Sequence, residues 1–250
     1  MTRSFVRIAT WNVDRPKQNG WTRNPKILEQ LRLVDADIWV LTETNASIVP
    51  ESKEPDPFSG YVGLASRPES PSKPGENKTT IWNRLGIKRA IDTYDPDTIV
   101  CAEVDTPIGL MLVYGTIITY WGDIDKEYPK PWLKHRAEIE EHGKDWLKIS
   151  QRFSDHILCV AGDFNQNWDG TEWFPNGKMN DDSVDQLRKH MTGHSLTCVT
   201  RQDVRKDKRF PRASVDQICL SERAAKRNVK DDYWYVDGFT HNGVWVDIPI

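Results

Sequence analysis

The chain has 250 residues, enough for one large α/β domain over residues 1–250, and its 34 Lys and Arg against 37 Asp and Glu give a net charge of −3. That balance excludes a chain-wide cationic footprint for nucleic acid and leaves only a local patch to bind it. Residues 1–11 lack the apolar core of a signal peptide, and the longest apolar run, residues 108–118, is too short to span a membrane, so a soluble, cytoplasmic monomer is expected. Cys101, Cys159, Cys198 and Cys219 sit in apolar, strand-like runs without CxxC spacing, which predicts buried, reduced thiols.

Residues 5–11 alternate and read as a strand. Asn24 and Pro25 then supply a cap and a first-turn proline, and Ile27, Leu28, Leu31 and Val34 form a helical apolar stripe. Residues 37–41 form a second strand, giving β-α-β. Residues 50–77 are rich in Pro, Ser, Glu and Gly, with a short strand at 61–65. Strands follow near 79–82, 86–91, 98–104 and 110–119. A long helix is predicted over 132–153, burying Leu133, Ala137, Trp146, Ile149 and Phe153, and a strand at 156–161 runs into Asp163. The second half repeats the arrangement, with a helix near 182–191 and strands near 195–200, 214–220 and 243–248. Two β-rich halves with helices outside predict an α/β fold, a four-layer α/β/β/α sandwich.

Four strands end on polar residues: Thr10-Trp11-Asn12, Leu41-Thr42-Glu43, Gly162-Asp163-Phe164-Asn165 and Ser214-Val215-Asp216-Gln217; His241 follows before the last strand. In layered α/β proteins the carboxyl ends of strands line the working crevice. Oxygen ligands without a Cys/His cluster suit a hard cation such as Mg²⁺, with Mn²⁺ as a substitute. Glu43, ending an apolar strand, is the candidate principal ligand, with Asn12 beside it. Asp163 can orient or deprotonate a water, and the neutral amide of Asn165 can donate to a phosphate oxygen. Asp216 can fix the His241 tautomer so that Nε2 faces a phosphate. Each residue has a plainer reading by itself: Asp163, Asn165 and Asn12 as turn residues, Glu43 as a solvated rim side chain, His241 as a surface histidine.

The other histidines have local explanations. His135, His142 and His156 fall on or beside the long helix and are expected at its surface, and His190 and His194 flank a helix end. Trp168 and Trp173 follow Asp163 closely enough to wall a pocket, or simply to pack a loop. Residues 201–212 hold six basic side chains before the Asp216 strand, a candidate phosphate contact or a solvated loop.

In this order and spacing the segments from Ile8 to about Val246 resemble the endonuclease/exonuclease/phosphatase superfamily, with Gly162-Asp163-Phe164-Asn165 the most specific piece and Trp11-Asn12 and Thr42-Glu43 next. The resemblance implies the same four-layer sandwich and a Mg²⁺-dependent phosphoester hydrolase, a phosphodiesterase or nuclease using in-line water attack. Asp163, Asn165, Asp216 and His241 would be the catalytic set, with Glu43 and Asn12 at the metal. The chain departs from the family at two places: Phe239-Thr240-His241 stands where Ser-Asp-His is usual, and the middle strand offers Ile117 where His or Tyr is common. The expected partner is a phosphoester, including a short or single-stranded nucleic acid. A hydrolase of small phosphorylated molecules or lipid head groups, or a silent phosphate-binding member, is the alternative.

Overall fold

The computed structural model describes residues 3–16, 23–45, 58–67, 76–168 and 181–250. In chain order its elements are β1 (Phe5–Asn12), α1 (Asn24–Val34), β2 (Ile38–Asn45), β3 (Val62–Ala65), β4 (Glu76–Asn83), β5 (Ile87–Ile91), β6 (Val100–Thr106), β7 (Gly109–Ile117), α2 (Leu133–Arg152), β8 (Ile157–Asp163), α3 (Asp181–Gly193), β9 (Leu196–Cys198), β10 (Asp216–Ser221), α4 (Glu222–Ala225), β11 (Lys230–Trp234) and β12 (Gly243–Pro249).

The strands make two six-stranded sheets, ordered β11-β12-β1-β2-β4-β3 and β5-β6-β7-β8-β10-β9. Advancing each strand of the second sheet by six positions, with wrap-around, reproduces the first, so the two sheets are topological repeats. Each has one parallel pair, β1 with β2 across α1 and β7 with β8 across α2; the other pairs are antiparallel. The repeat places the carboxyl ends of β1 and β2 in one sheet against those of β7 and β8 in the other.

Alternation decides which side chains fill which layer. Val6, Ile8, Val40 and Ile81 of one sheet meet Ala102, Val113, Cys159 and Ile218 of the other in a continuous core. The opposite face of the first sheet carries Ala9, Trp11, Trp39 and Leu41 under the stripe Ile27, Leu28, Leu31 and Val34 of α1. The outer face of the second carries Leu112, Tyr114, Leu158 and Val160 under Ile139, Trp146 and Ile149 of α2 and Leu187 and Met191 of α3. The result is the expected α/β/β/α sandwich. Gly115 sits where the sheets approach most closely: a Cβ there would lie 2.9 Å from Thr79 Cγ2 and 3.0 Å from Val40 Cγ1.

Several local expectations shift. Helix α1 starts one residue early, with Arg23 at the cap position and Asn24 already helical, while Pro25 keeps its place in the first turn where no N–H partner is needed. On α2, Trp146, Ile149 and Phe153 are buried, but Leu133 is 39% exposed and the inner face instead carries His135, His142 and Asp145. These polar groups are buried because the sheet below offers partners. His142 Nε2 lies 2.7 Å from Thr116 Oγ1, and its Nδ1 lies 2.7 Å from Glu138 O and 2.8 Å from the Tyr94 hydroxyl. His135 lies 2.6 Å from Thr119 O and 2.9 Å from Gln166 Oε1, and Tyr114 OH donates to Asp145 at 3.0 Å. The surface placement expected for His135 and His142 is therefore corrected. Strand β11 was not predicted, since the charged run Lys230-Asp231-Asp232 forms a half-exposed edge with little apolar period. The four cysteines are buried and free. No helix among the described residues is long and apolar enough to cross a membrane.

Candidate active site

The named residues converge, with one correction: Asp216 opens β10 and does not end a strand, and it reaches the same edge because β10 runs antiparallel to β8. Asn12, Glu43, Asp163, Asn165 and His241 line one cleft of about 620 Å³, and Asp216 lies directly behind His241. The register explains the meeting. Asn12 pairs with Thr42, Ile117 pairs with Asp163, and Asp163 faces Asp216 across the antiparallel β8–β10 ladder, so all lie at one edge of the facing sheets. The last turn before this edge depends on Gly162. Its φ is +142°, and a Cβ would fall 1.9 Å from Thr116 O on the neighbouring strand, so no larger residue fits.

Asp163 is fully enclosed by donors. Oδ2 accepts from Asn12 Nδ2 at 2.9 Å and from Asn165 Nδ2 at 3.2 Å, while Oδ1 accepts from the Asn165 backbone N–H at 2.8 Å. Asn165 does not leave the strand in extended form; it takes φ +50°, which folds its amide back over Asp163, and its Nδ2 also donates to Ile118 O at 2.8 Å. Behind them, Asp216 Oδ1 accepts from the Asn12 N–H at 2.8 Å, and Oδ2 lies 2.8 Å from His241 Nδ1. His241 Nε2 is thereby turned toward Asp163 Oδ2, 3.9 Å away. Trp11 Nε1 donates to the His241 carbonyl at 3.2 Å, fixing the backbone of a residue 230 positions later.

Burial opposes charge on all three ionisable groups; it prevails for the two carboxylates, and for His241 the neighbouring charges outweigh it. For His241 burial lowers the pKa, but the carboxylates of Asp163 and Asp216 outweigh it and raise it to about 9. Burial raises Asp163 to about 6, with Asp216 adding to the rise and His241, Asn12 and Asn165 opposing it. Asp216 is raised by burial too, against the pull of His241. Near neutral pH the cluster therefore holds an imidazolium beside a carboxylate able to take a proton.

Glu43 lies across the cleft with φ +48°. Burial raises its pKa, and Arg15, whose Nη2 is 3.3 Å from Oε1, lowers it. Two groups of oxygens could hold a cation. Asp163, Asp216 and His241 bring one ligand atom each within 4.8 Å of one another, in a group whose oxygens also accept the bonds from Asn12, Asn165 and His241. Among the described residues Glu43 is engaged by Arg15, and Asn12 Oδ1 accepts one bond, from the Asp14 N–H at 2.9 Å, leaving a lone pair. A hard divalent cation fits the Glu43–Asn12 side of the cleft.

The sequence reading missed Arg15, Lys78, Tyr120, Asp123 and Glu138, which also line the cleft. Only Arg15, three residues beyond Asn12, stood close enough to a recognised segment to be found. Asp14 is tied down nearby by Thr240 and by Arg23 Nη2 at 2.9 Å. The basic loop contributes nothing to the cleft lining. Arg205 pairs with Asp203 at 3.2 Å, Arg209 pairs with Asp207 at 2.7 Å, and Arg212 donates to Thr240 O at 3.5 Å. Trp168 packs on the α2–α3 core, away from the cleft, and Trp173 lies outside the described residues.

The sequence matches the model of the Endonuclease/Exonuclease/phosphatase family over residues 9–245. The chain belongs to this family. Comparison with curated protein sequences gave no match. Among solved structures, an AP endonuclease from Archaeoglobus fulgidus is 16% identical with a TM-score of 0.70, covering 98% of this chain and 100% of that one. AP endonuclease LMAP from Leishmania major is 13% identical with a TM-score of 0.73 over 99% and 88% of the two chains. The endonuclease domain of TRAS1, a telomere-specific non-LTR retrotransposon, is 19% identical with a TM-score of 0.63 over 98% of each. At these identities the likeness establishes a shared fold, and the cleft of this endonuclease/exonuclease/phosphatase family member lies at the sheet edge built above.

Proposed function

We propose that this protein is a divalent-metal-dependent phosphoesterase, cleaving a phosphodiester by in-line attack of water. The observation that carries the reading is the unbroken relay Asp216–His241 facing Asp163, itself gripped by Asn12 and Asn165, beside an oxygen-ligand position at Glu43. Asp163, ionised above about 6, orients the attacking water and accepts its proton as the new P–O bond forms and the ester P–O bond breaks. His241, protonated up to about 9, donates from Nε2 to a non-bridging oxygen as negative charge collects there. Asp216 accepts from Nδ1 and keeps the ring turned. Asn12 and Asn165 hold the Asp163 carboxylate from both sides. Glu43 and Asn12 Oδ1 would hold Mg²⁺ or Mn²⁺, which when bound polarises the phosphoryl group and offsets charge on the departing oxygen.

Family membership and the endonucleases among the structural neighbours support a nucleic-acid phosphodiester as substrate over a lipid head group. The deciding experiment is a Mg²⁺- and Mn²⁺-dependent screen over single-stranded DNA, duplex DNA, RNA and a small chromogenic diester. Turnover lost in EDTA and in His241→Ala supports the assignment. A folded protein that binds phosphate but turns over none of them would instead be a silent member of the family.

A further inference from the structure

Lys78 and Tyr120 are among the cleft-lining side chains that this chemistry does not use. Lys78 lies on β4 of one sheet. Thr42 pairs with Thr79 and Thr44 with Asn77, so Lys78 and Glu43 occupy the intervening positions of neighbouring strands, and both line the cleft. Yet among the described residues Lys78 forms no ion pair; it donates to Thr98 Oγ1 at 3.5 Å. Its ammonium group acts through space on the Asp123 and Glu138 carboxylates of the same cleft without a direct pair to either among the described residues, and is suited to an anion from outside the protein.

Tyr120 reaches the same cleft from the other sheet, on the segment that follows β7. It is 48% exposed and presents its ring to the cleft. The segment that carries the ring is tied down. A Cβ at Gly122 would come 2.7 Å from Tyr120 Cε1, so the glycine makes room for the ring. Asp123 N donates to Tyr120 O at 3.0 Å, Thr119 N donates to Glu138 at 2.7 Å, and Lys134 anchors Asp123 at 2.7 Å. Behind Tyr120 the ring of Trp121 lies 5.2 Å away and stacks on Trp132 at 6.0 Å. A half-exposed ring on a segment pinned this thoroughly pays little ordering entropy when a second ring lies against it.

We propose that Tyr120 and Lys78 form a subsite for one unpaired nucleotide next to the scissile phosphate, the base stacking on Tyr120 and a neighbouring phosphate held by Lys78. A paired base in a duplex has both faces covered by its neighbours, and only an unstacked base offers a face to Tyr120. Charge points the same way. The lining sets Glu43, Asp123, Glu138 and Asp163 against Arg15, Lys78 and His241, so it offers no cationic surface for the long run of phosphates that duplex binding neutralises. The subsite deepens the phosphoesterase reading and rests on it only for which bond is cut.

Binding and turnover separate the two ideas. With EDTA present, fluorescence anisotropy would measure affinity for a labelled single strand of about ten nucleotides, the matching duplex, and a strand carrying abasic residues throughout. The single strand should bind more tightly than the duplex. Tyr120→Ala should weaken single-strand binding about tenfold, Tyr120→Phe should restore it, and the abasic strand should bind both wild type and Tyr120→Ala equally weakly. Lys78→Gln should lower the salt dependence by about one phosphate contact. Tight duplex binding, unchanged affinity in Tyr120→Ala, or equal affinity for abasic and intact strands would overturn the subsite. Hydrolysis of the chromogenic diester without single-strand binding would overturn it too, leaving the phosphoesterase reading intact. Single-strand binding without any metal-dependent turnover supports the subsite and removes that reading.

Discussion

Asp14 and Thr240, 226 residues apart, are joined by two hydrogen bonds: the threonine hydroxyl donates to Oδ1 at 2.5 Å and its backbone N–H donates to Oδ2 at 3.0 Å. Position 240 is where the family usually carries an aspartate, and here the neighbouring carboxylate comes from the loop after β1. Burial pushes Asp14 up, but the Thr240 bonds and Arg23 outweigh it and hold its pKa below the ordinary carboxylate value. A depressed carboxylate stabilises the fold above its unfolded pKa and loses that contribution as pH falls through the folded value. Thr240→Val should therefore cost about 1 kcal/mol at neutral pH, since the site is partly open to solvent. The deficit should shrink in acid, as urea melts of the two proteins at several pH values would show.

The Asp216–His241 bond makes two residues act as one. His241→Ala and Asp163→Asn should each lower kcat by about a hundredfold or more. Asp216→Asn should lose activity through the same ring, so the double variant should be little worse than His241→Ala. Losses that multiply in a double-mutant cycle would show that Asp216 acts independently.

Rate should follow pH as a bell. Activity rises as Asp163 ionises around 6 and falls as His241 loses its proton around 9. His241→Gln should remove the alkaline limb from the kcat/KM profile and move the acid limb to higher pH, since the His241 charge holds the Asp163 pKa down. The same imidazolium also favours folding. Its raised pKa means that the contribution is complete below the unfolded value of about 6.5 and is lost as pH rises through about 9.

Glu43→Gln keeps the shape of the side chain but removes the charge facing the cation. The Mg²⁺ concentration at half-maximal activity should rise at least about tenfold with the fold unchanged. Calorimetric titration with Mn²⁺ gives a readout without turnover; unaltered Mn²⁺ affinity would place the ion elsewhere, with the Asp163–Asp216–His241 group the next candidate.

Gly162→Ala tests the backbone beneath the site. With φ at +142° and Thr116 O only 1.9 Å from the added carbon, β7 and β8 must separate, and a loss of about 3 kcal/mol or more is expected in denaturant melts.

Much of this molecule is local and was therefore readable in the chain. Apolar alternation in β1, β2 and β8 and the stripe of α1 depend on neighbours a few residues away, and Asn12, Glu43 and Asp163 stand at or near the carboxyl ends of those strands. The apolar part of what α2 buries, Trp146 and Ile149, was readable, but its polar part was not, because His135, His142 and Asp145 look like surface residues until Thr116, Thr119, Tyr114 and Gln166 supply their partners from other elements. The basic loop shows the converse. Its cations are conspicuous in sequence, but Arg205 and Arg209 pair with Asp203 and Asp207 beside them, while Arg15, Lys78 and Tyr120 reach the cleft from three separate segments. The sequence by itself determined the residue types of the chemistry and the strands that carry them. Only the packing of the two sheets decided distance and burial, and these set the charge states of Asp163 and His241, because desolvation and Coulomb interaction depend on separations in space that have no counterpart in spacing along the chain.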